Sequence, residues 1–199
     1  MSERPVSAQK KFVETALVLF AERGYFGVSL ADVAGELALT KQSVLYHFKT
    51  KDALYGAVID DIAKRLDVIL EDVLAVTGSP RQRVQAYLAR MYAHMQTQPR
   101  DARLITRELL DNLDRTETGQ HWYLKRFLDV SVALISALPT WQGEPEDRVR
   151  AAAYQLIGAV CYFVISDATL AAIWGRKAVD GMDTDFLAAL FRQAGLDGE

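Results

Sequence analysis

The sequence feature that most restricts the possible folds is the stretch 151–173, AAAYQLIGAVCYFVISDATLAAI, which carries one charge, Asp167. A helix that is apolar on all sides lies either in a membrane or inside protein. The uncharged part, 151–166, is shorter than the roughly 20 apolar residues of a membrane span, and it contains Gln155. We therefore expect a helix that is covered by its own domain on one side and by a second subunit on the other.

The remaining sequence predicts an all-α chain. Apolar residues recur at helical spacing, and no useful stretch alternates between apolar and polar residues as a strand would. A leading helix that ends at Gly24 and two short helices are expected before residue 50. Six more are expected over residues 51–76, 81–97, 101–112, 119–138, 146–173 and 183–195. Gly175 and Gly181 are predicted to bracket a break, with Asp183 or Thr184 as the cap of the last helix.

Composition and motifs exclude several classes of protein. Half of the 199 residues are hydrophobic, which argues against a disordered chain. A single cysteine, Cys161, excludes an internal disulfide, and its apolar surroundings predict an inert thiol. The N-terminal MSERPVSAQKK lacks the apolar core of a signal peptide, so we expect a cytoplasmic protein. We expect no metal and no cofactor, because His94, His121, Asp111 and Cys161 show no ligand-like spacing.

Residues 29–51, SLADVAGELALTKQSVLYHFKTK, predict two short helices joined by a tight turn at Ala38 and Leu39. Ser29 can cap the first helix and Thr40 the second, because a side-chain hydroxyl can accept a hydrogen bond from the first turn. Two short helices joined in this way form a helix-turn-helix, whose second helix can enter the major groove of DNA.

The second short helix carries the side chains that such a role requires. Lysine can hydrogen-bond the edge of guanine and glutamine that of adenine. Hydroxyl, imidazole and ammonium groups can donate hydrogen bonds to phosphates. The first turn contains Thr40, Lys41, Gln42 and Ser43, and the potential phosphate donors that follow are Tyr46, His47, Lys49 and Lys51.

About residues 8–60 resemble the DNA-binding domain of the tetracycline-repressor (TetR) family of bacterial transcription regulators. The matching segments are KKFVETALVLFAERGYFGVSL, ADVAGELAL and LTKQSVLYHFKTKDALYGAV. The resemblance is specific because a Gly-Tyr-Phe-Gly spacer, the turn, a Tyr-His-Phe run and Lys51 occur in the family's order. It implies a helix-turn-helix DNA-binding domain over residues 1–51 and a helical ligand-binding and dimerisation domain over residues 52–199.

The resemblance also implies roles for single residues. Ser29 matches a cap that contacts phosphate, and Lys51 matches a lysine that reaches a phosphate from the next helix. The residues that match the base-reading turn are Thr40, Lys41, Gln42 and Ser43, and those that match the pair holding the DNA backbone are Tyr46 and His47.

Two positions depart from the family's pattern. Ala38 stands where glycine is usual, so we expect the turn to avoid a left-handed conformation. Leu45 stands where tyrosine is frequent, and if it faces DNA it can offer only an apolar contact, for instance to a thymine methyl group.

The charge distribution agrees with DNA contact at one end. Residues 1–51 contain seven Lys and Arg against five Asp and Glu, a net charge of +2, whereas residues 52–199 carry −5. A basic N-terminal domain on an acidic body is typical of a protein that contacts DNA through that domain. The overall charge of −3 conceals this asymmetry.

For the C-terminal domain, the resemblance implies a small-molecule site and a dimer formed by the last two helices. The candidate interface residues are Gly158, Ala159, Phe163, Leu187, Leu190 and Phe191, with simple core packing as the alternative. The candidate pocket residues are Tyr87, Met91, His94, Arg107, Trp122, Arg126, Tyr162 and Ser166. The alternative for these is core packing or, for the two arginines, surface ion pairs with Glu108, Asp111 or Asp129.

The predicted function is a homodimeric repressor that a small molecule releases from a palindromic DNA operator, because the ligand prefers a different arrangement of the two recognition helices. An activator, a regulator without a ligand, an enzyme-like body on a DNA tether and a membrane-associated helical protein are the alternatives. We expect no enzyme, because the sequence lacks Gly-x-Ser-x-Gly, a phosphate-binding glycine loop, His-Glu-x-x-His and a spaced Cys/His set.

Overall fold

The computed structural model describes residues 8–110 and 123–196, and this part of the chain contains nine α-helices and no strand. The all-α prediction is therefore confirmed. The helices are α1 (Ala8–Arg23), α2 (Leu30–Glu36), α3 (Lys41–His47), α4 (Lys51–Leu74), α5 (Pro80–Thr97), α6 (Pro99–Leu110), α7 (Lys125–Ser136), α8 (Glu146–Trp174) and α9 (Arg176–Gln193). A short 3-10 turn, Pro139–Trp141, follows α7.

The first three helices pack around the start of α4, and we call this unit the head. Its core contains Phe12 and Phe20 of α1, Val33 of α2 and Val44 of α3, all fully or almost fully buried. The i, i+4 spacing within α1 puts its apolar side chains on one face, which packs against α2 and α4. Because α4 begins in the head and continues beyond it, this helix belongs to both halves of the molecule.

An aromatic cluster ties the spacer after α1 to α4. The ring of Tyr55 lies edge-on to both Phe20, at 5.1 Å between centroids, and Tyr25, at 5.2 Å. The Tyr25 hydroxyl donates a hydrogen bond of 2.5 Å to the Asp52 carboxylate. These contacts fix the spacer, and with it the point where α2 begins.

The remaining helices form the body, with α5 at its centre. This helix packs against α4, α6, α7, α8 and α9, and its buried side chains include Leu88 and Met95. Inside this core, the hydroxyls of Tyr87 and Ser131 share a hydrogen bond of 2.6 Å. The Ser131 hydroxyl also donates to the Phe127 carbonyl at 2.7 Å, so this buried polar group is satisfied.

Two predicted helix boundaries are wrong. Among the described residues α7 begins at Lys125, and the two residues before it form a turn; positions 119–122 of the predicted helix lie outside the described residues. The last helix begins directly after Gly175, whose φ of +85° makes the turn, and Gly181 lies inside the helix. A glycine within a helix costs about 1 kcal/mol relative to alanine, and the burial of Val179 and Leu190 in α9 offsets that cost.

The predicted caps of the last helix are wrong for the same reason. Thr184 lies within α9 and donates a hydrogen bond of 3.1 Å to the Asp180 carbonyl, one turn earlier. Asp183 also lies within the helix, where its carboxylate accepts hydrogen bonds from the side chains of Tyr92 and Gln96 of α5.

Helix α8 is long and apolar enough, by length and composition, to cross a membrane, and only 22% of its most apolar segment is buried within the chain. One side packs on α6, α7 and α9 through residues such as Leu156 and Val160. The other side exposes Tyr154 and Tyr162, which are 54% and 71% accessible. The described chain thus covers one side of this helix, as the sequence predicts.

Candidate nucleic-acid interface

The start of α2 is closed by a reciprocal capping box. The Ser29 hydroxyl accepts a hydrogen bond of 3.2 Å from the Asp32 amide, and the Asp32 carboxylate accepts one of 2.7 Å from the Ser29 amide. The hydrogen bonds from Ser29 hold the pKa of Asp32 below its ordinary value. Ser29 is exposed, so its side chain lies at a rigid helix N-terminus that is open to solvent.

The turn between α2 and α3 corrects one prediction. Ala38 has φ = +54°, a left-handed conformation that the sequence analysis expected the turn to avoid. The backbone explains it: the Leu39 amide donates to the Ala34 carbonyl at 2.9 Å and the Ala38 amide to the Gly35 carbonyl at 3.0 Å. This is a Schellman motif, whose turn residue must be left-handed. The path of the chain into α3 thus imposes strain on Ala38.

Helix α3 is anchored on one side and open on the other. Thr40 caps it by accepting a hydrogen bond of 3.4 Å from the Ser43 amide, and Val44 and Phe48 are buried in the head. Gln42 is exposed on the opposite side, and Lys41 is exposed at the first position of the helix. Ser43 is half-buried, and its hydroxyl lies 3.2 Å from that of Thr40.

The end of α3 presents an exposed aromatic pair. Tyr46 is 77% accessible, and its ring lies edge-on to the exposed His47 at 5.1 Å. His47 in turn packs on the ring of Phe12, 5.6 Å away. Leu45 is half-buried against the head core. Tyr46 and Gln42 are four residues apart, so they share the open face of the helix.

Lys51 opens α4 beside the same spacer. Its ammonium lies 4.2 Å from the centroid of the Tyr25 ring, a cation–π contact that positions the side chain. Partial burial lowers the pKa of Lys51, while the charges of Asp52 and Asp32 act in the opposite direction. Asp32, in the first turn of α2, lies close enough to Lys51 for their charges to interact.

One exposed group in this region has no role in the sequence analysis. Phe26 is 78% accessible and lies edge-on to Tyr25 at 5.3 Å. In the sequence, Phe26 is noticeable only as part of the Gly-Tyr-Phe-Gly spacer. Its exposure could have been suspected because Phe26 is an aromatic residue that belongs to no apolar helical stripe in the sequence.

Among the described residues, none of the eight predicted pocket residues lines the groove or the cavity reported below. Tyr87 and Met91 lie together in the core of α5 and are buried. Ser166 donates a hydrogen bond of 2.6 Å to the carbonyl of Tyr162, whose own side chain lies on the exposed face of α8. Trp122 lies outside the described residues.

The charged pocket candidates have protein partners. His94 contacts the Asp101 carboxylate at 2.9 Å, and the guanidinium of Arg107 lies beside Gly24. Arg126 is an exposed residue that pairs with Asp67 and, at 3.9 Å, with Glu71 of α4. Arg126 thus forms a surface ion pair, which was the alternative to a pocket role, but its partners are not the acidic residues that the sequence suggested.

Two cavities lie among the described residues of the body. A groove of about 400 Å³ runs between α7 and α8, with mainly apolar walls that include Leu128, Val132, Tyr154 and Ile157. A smaller cavity of about 250 Å³ lies where α5, α8 and α9 meet, lined by residues that include Tyr92, Phe163, Asp167 and Asp183.

The predicted interface residues divide between the surface and the core. Gly158 is exposed, and a Cβ atom added there would have open space around it. Phe163 stacks on Phe186 of the same chain at 4.3 Å, and Ala159, Leu187 and Phe191 are half-buried. Leu190 is 2% accessible, so its assignment to the interface is wrong: it belongs to the chain's own core.

Cys161 lies on the inner side of α8, where burial raises the pKa of its thiol to about 12. A thiol with so high a pKa carries almost no thiolate at neutral pH and is a poor nucleophile. The structure therefore agrees with the prediction that Cys161 is inert.

Comparison with known proteins points in one direction. Residues 12–58 match the family model described as bacterial regulatory proteins, tetR family. The HTH-type transcriptional regulator RutR of Escherichia coli K12 is 30% identical over 136 residues, which cover 67% of this chain and 63% of RutR, just under two thirds of its length. The negative transcriptional regulator IcaR of Staphylococcus aureus (strain Newman), of the biofilm operon icaADBC, is 40% identical over 45 residues, 23% of this chain and 24% of IcaR.

A solved structure agrees on the fold over the full chain. The fatty acid degradation regulator FadR of Bacillus halodurans has a TM-score of 0.70 at 14% identity, and the match covers 100% of this chain and 98% of that chain.

Proposed function

Because this chain belongs to the tetR family of bacterial regulatory proteins, we propose that it is a homodimeric transcriptional repressor that a small molecule releases from a palindromic DNA operator. The observation that carries the proposal is the open face of α3. Lys41, Gln42 and Tyr46 are exposed there, while Val44 and Phe48 fix the helix from behind. A rigid helix with a polar outer face meets the geometric requirement for reading the major groove.

In this proposal some residues contact base edges and determine sequence specificity, and others contact the phosphate backbone. Lys41 and Gln42, with Thr40 and Ser43 beside them, read base edges, since lysine and glutamine suit guanine and adenine. Phosphates are held by Ser29, Tyr46, His47 and Lys51. In this proposal the DNA-binding domain comprises residues 1–51, and the ligand-binding and dimerisation domain comprises residues 52–199. Helix α4 runs continuously from one into the other. We place the protein in the cytoplasm, where its operator would be.

The exposed side of α8 supports the homodimer. Tyr154, Gly158 and Tyr162 follow at intervals of four, so they form one stripe along the helix. Tyr154 and Tyr162 are more than half exposed, and Gly158 between them leaves room for a close helix contact. Together with the half-buried Leu187 and Phe191 of α9, this stripe would form a four-helix seam around a two-fold axis.

A dimer sets the spacing of the two α3 helices. Two recognition helices about 34–36 Å apart enter successive major grooves on one face of DNA, so the operator mirrors the two-fold symmetry. A small molecule that binds better to a different spacing lowers DNA affinity by its preference between the two states. Helix α4 is the natural lever because it runs from the head into the body.

For the small molecule, we propose the groove between α7 and α8. Its volume of about 400 Å³ falls within the range typical of small-ligand sites, and its mainly apolar walls favour an apolar or amphipathic compound. Tyr154 belongs both to this groove and to the exposed stripe of α8. A ligand in the groove would therefore act next to the proposed seam and could change its packing.

The test is selection of DNA from a random pool by the purified full chain at low salt. The proposal predicts enrichment of a palindromic site bound by two chains. Failure to enrich any sequence over the starting pool would refute the DNA-binding function. Fractionation of expressing cells separates the membrane alternative, since recovery of the chain with the membrane pellet would contradict the proposal.

A further inference from the structure

Asp101, in the first turn of α6, is a charged residue whose side chain is fully buried. Its carboxylate accepts two hydrogen bonds from the Arg65 guanidinium, from Nε at 2.9 Å and from Nη2 at 2.8 Å. The His94 Nε2 lies 2.9 Å from the same carboxylate. Arg65 also pairs with Asp61, one turn earlier on α4. The buried charge is thus fully surrounded by donors.

Asp101 remains ionised in this setting. Burial alone would raise the pKa of its carboxyl group, but the hydrogen bonds from His94 and Arg65 hold that pKa below its ordinary value. A bidentate arginine–carboxylate contact is both strong and directional. The contact therefore fixes the orientation of the helices that carry these groups as well as their distance.

The three residues come from three helices that meet at one point. Arg65 lies in the middle of α4, His94 in the last turn of α5 and Asp101 at the start of α6. We call this contact the α6 junction. It is the place where the N-terminal end of α6 is attached to the body.

The other end of α6 contacts the head. Helix α6 packs against α1 as well as α8, and a methyl group added at Gly24 would lie 2.8 Å from Nη1 of Arg107. Gly24 ends α1 with φ = +73°. Asp101 and Arg107 are separated by about 9 Å along the helix axis, at 1.5 Å per residue. One short helix thus links a fixed point in the body to the end of the first head helix.

We propose that Asp101 is a positioning residue for DNA binding, which acts through α6 on the orientation of the head. The inference rests on the proposed function. Asp101 contacts no DNA in this account; it keeps α6 at a fixed angle to α4 and α5, so that α1 and the recognition helix packed with it hold the orientation that fits the operator. Without the carboxylate, Arg65 keeps its pair with Asp61 but loses its hydrogen bonds to α6, His94 loses the same acceptor, and α6 can shift.

The body provides a matched control for a purely structural role. Tyr87 and Ser131 form another buried polar contact, but it joins α5 to α7 and does not include α6. Loss of either contact lowers the stability of the body, because a buried polar group loses its partner. Only loss of the α6 junction should change how well the folded protein binds DNA.

The experiment compares Asp101→Asn and Ser131→Ala in the full-length protein. The operator is the site selected from the random pool, and binding is measured by fluorescence anisotropy over a range of salt, well below both melting temperatures. We expect both variants to melt earlier than wild type. Asp101→Asn should weaken operator binding by on the order of tenfold, within the usual range of coupling between sites, while Ser131→Ala stays within about twofold of wild type.

The salt dependence adds a readout that distinguishes positioning from phosphate contact. Because Asp101 neutralises no phosphate, Asp101→Asn should lower affinity at every salt concentration and leave the slope of log K against log salt unchanged. Arg65→Lys keeps the charge but removes the bidentate hydrogen bond to Asp101. It should therefore lower operator affinity less than Asp101→Asn does, also with an unchanged salt slope. It also serves as the test variant if Asp101→Asn does not fold.

The outcomes separate this inference from the proposed function. If wild type binds its selected operator and folded Asp101→Asn or Arg65→Lys binds it equally well, the positioning role is refuted and the function stands. An equal loss of affinity in Ser131→Ala also refutes the positioning role, because general destabilisation then explains the effect. If wild type binds no DNA sequence, the proposed function fails and the positioning role fails with it.

Discussion

Replacing Gly158 by glutamate tests the proposed dimer seam with little effect on the single chain. Gly158 lies on the exposed side of α8, four residues from both Tyr154 and Tyr162, and a Cβ atom added there has open space around it. Since glycine within a helix costs about 0.5–1 kcal/mol relative to residues with a side chain, Gly158→Glu should not weaken the folded subunit.

The dimer should respond very differently. A two-fold interface brings the same patch from both subunits together, so each variant dimer would bury two new carboxylates. Burial of an unpaired charge costs several kcal/mol, and at about 3 kcal/mol for each carboxylate the penalty is about 6 kcal/mol. Each 1.4 kcal/mol changes the dissociation constant tenfold, so the dimer should weaken by roughly four orders of magnitude.

Sedimentation velocity at micromolar concentration measures this change, and circular dichroism checks that the subunit stays helical. Ala133→Glu, on the exposed side of α7, is the control that adds the same charge outside the seam. The reasoning predicts a helical monomer for Gly158→Glu and a dimer for the control. A Gly158→Glu protein with the dissociation constant of wild type would refute the proposed seam and require a different interface.

Three further predictions concern single residues. Ala38→Gly should raise the free energy of unfolding by about 1 kcal/mol by relieving the strain at φ = +54°, whereas Ala31→Gly in the regular part of α2 should lower it by about as much; denaturant titration checks both. Lys51→Ala should weaken binding to all DNA sequences and reduce the salt slope by about 1, and Lys64→Ala, at an exposed pair on α4, should leave the slope unchanged. The pKa of Asp101 is lower in the folded chain than its ordinary value, so the ionised carboxylate stabilises the fold. Asp101→Asn should therefore lower the free energy of unfolding by its full amount above about pH 4, and by less as the pH falls through the folded-state pKa. Denaturant titrations at pH 7 and pH 3 measure the difference.

The order of the helices could be predicted from the sequence because their ends carry local signals. Ser29 and Thr40 cap helices as predicted, since a hydroxyl at a helix start interacts only with the next turn. Local signals failed where glycine was taken as a stop. Gly181 lies inside α9, because the packing of the flanking turns outweighs the modest helix cost of glycine.

Ala38 shows a second limit of local reasoning. An alanine normally avoids positive φ, but the hydrogen bonds of the Schellman turn and the position of α3 require it there. The sequence predicted the turn, and the hydrogen bonds that end α2, together with the path of the chain into α3, decided its conformation.

The contacts that join distant helices could not be predicted from spacing. Asp101 and Arg65 are 36 positions apart, and nothing in their local sequence pairs them. Arg126, one of the pocket candidates, shows the same limit. An arginine such as Arg126 has the same pattern on its helix whether it faces a ligand or an acid of α4. The open face of α3 could be predicted because its buried and exposed positions follow from one short helix and its turn.

If the exposed face of α3 reads DNA as part of a symmetric dimer, the loss of Gln42 should change the DNA sites selected from a random pool. We therefore compare the sites selected by wild type and by Gln42→Ala from one pool. We expect a palindrome for wild type and, for the variant, relaxed preference at the same position in both half-sites, since each subunit contributes one Gln42. An unchanged site bound with unchanged affinity by Gln42→Ala would contradict the claim that this face of α3 reads the operator.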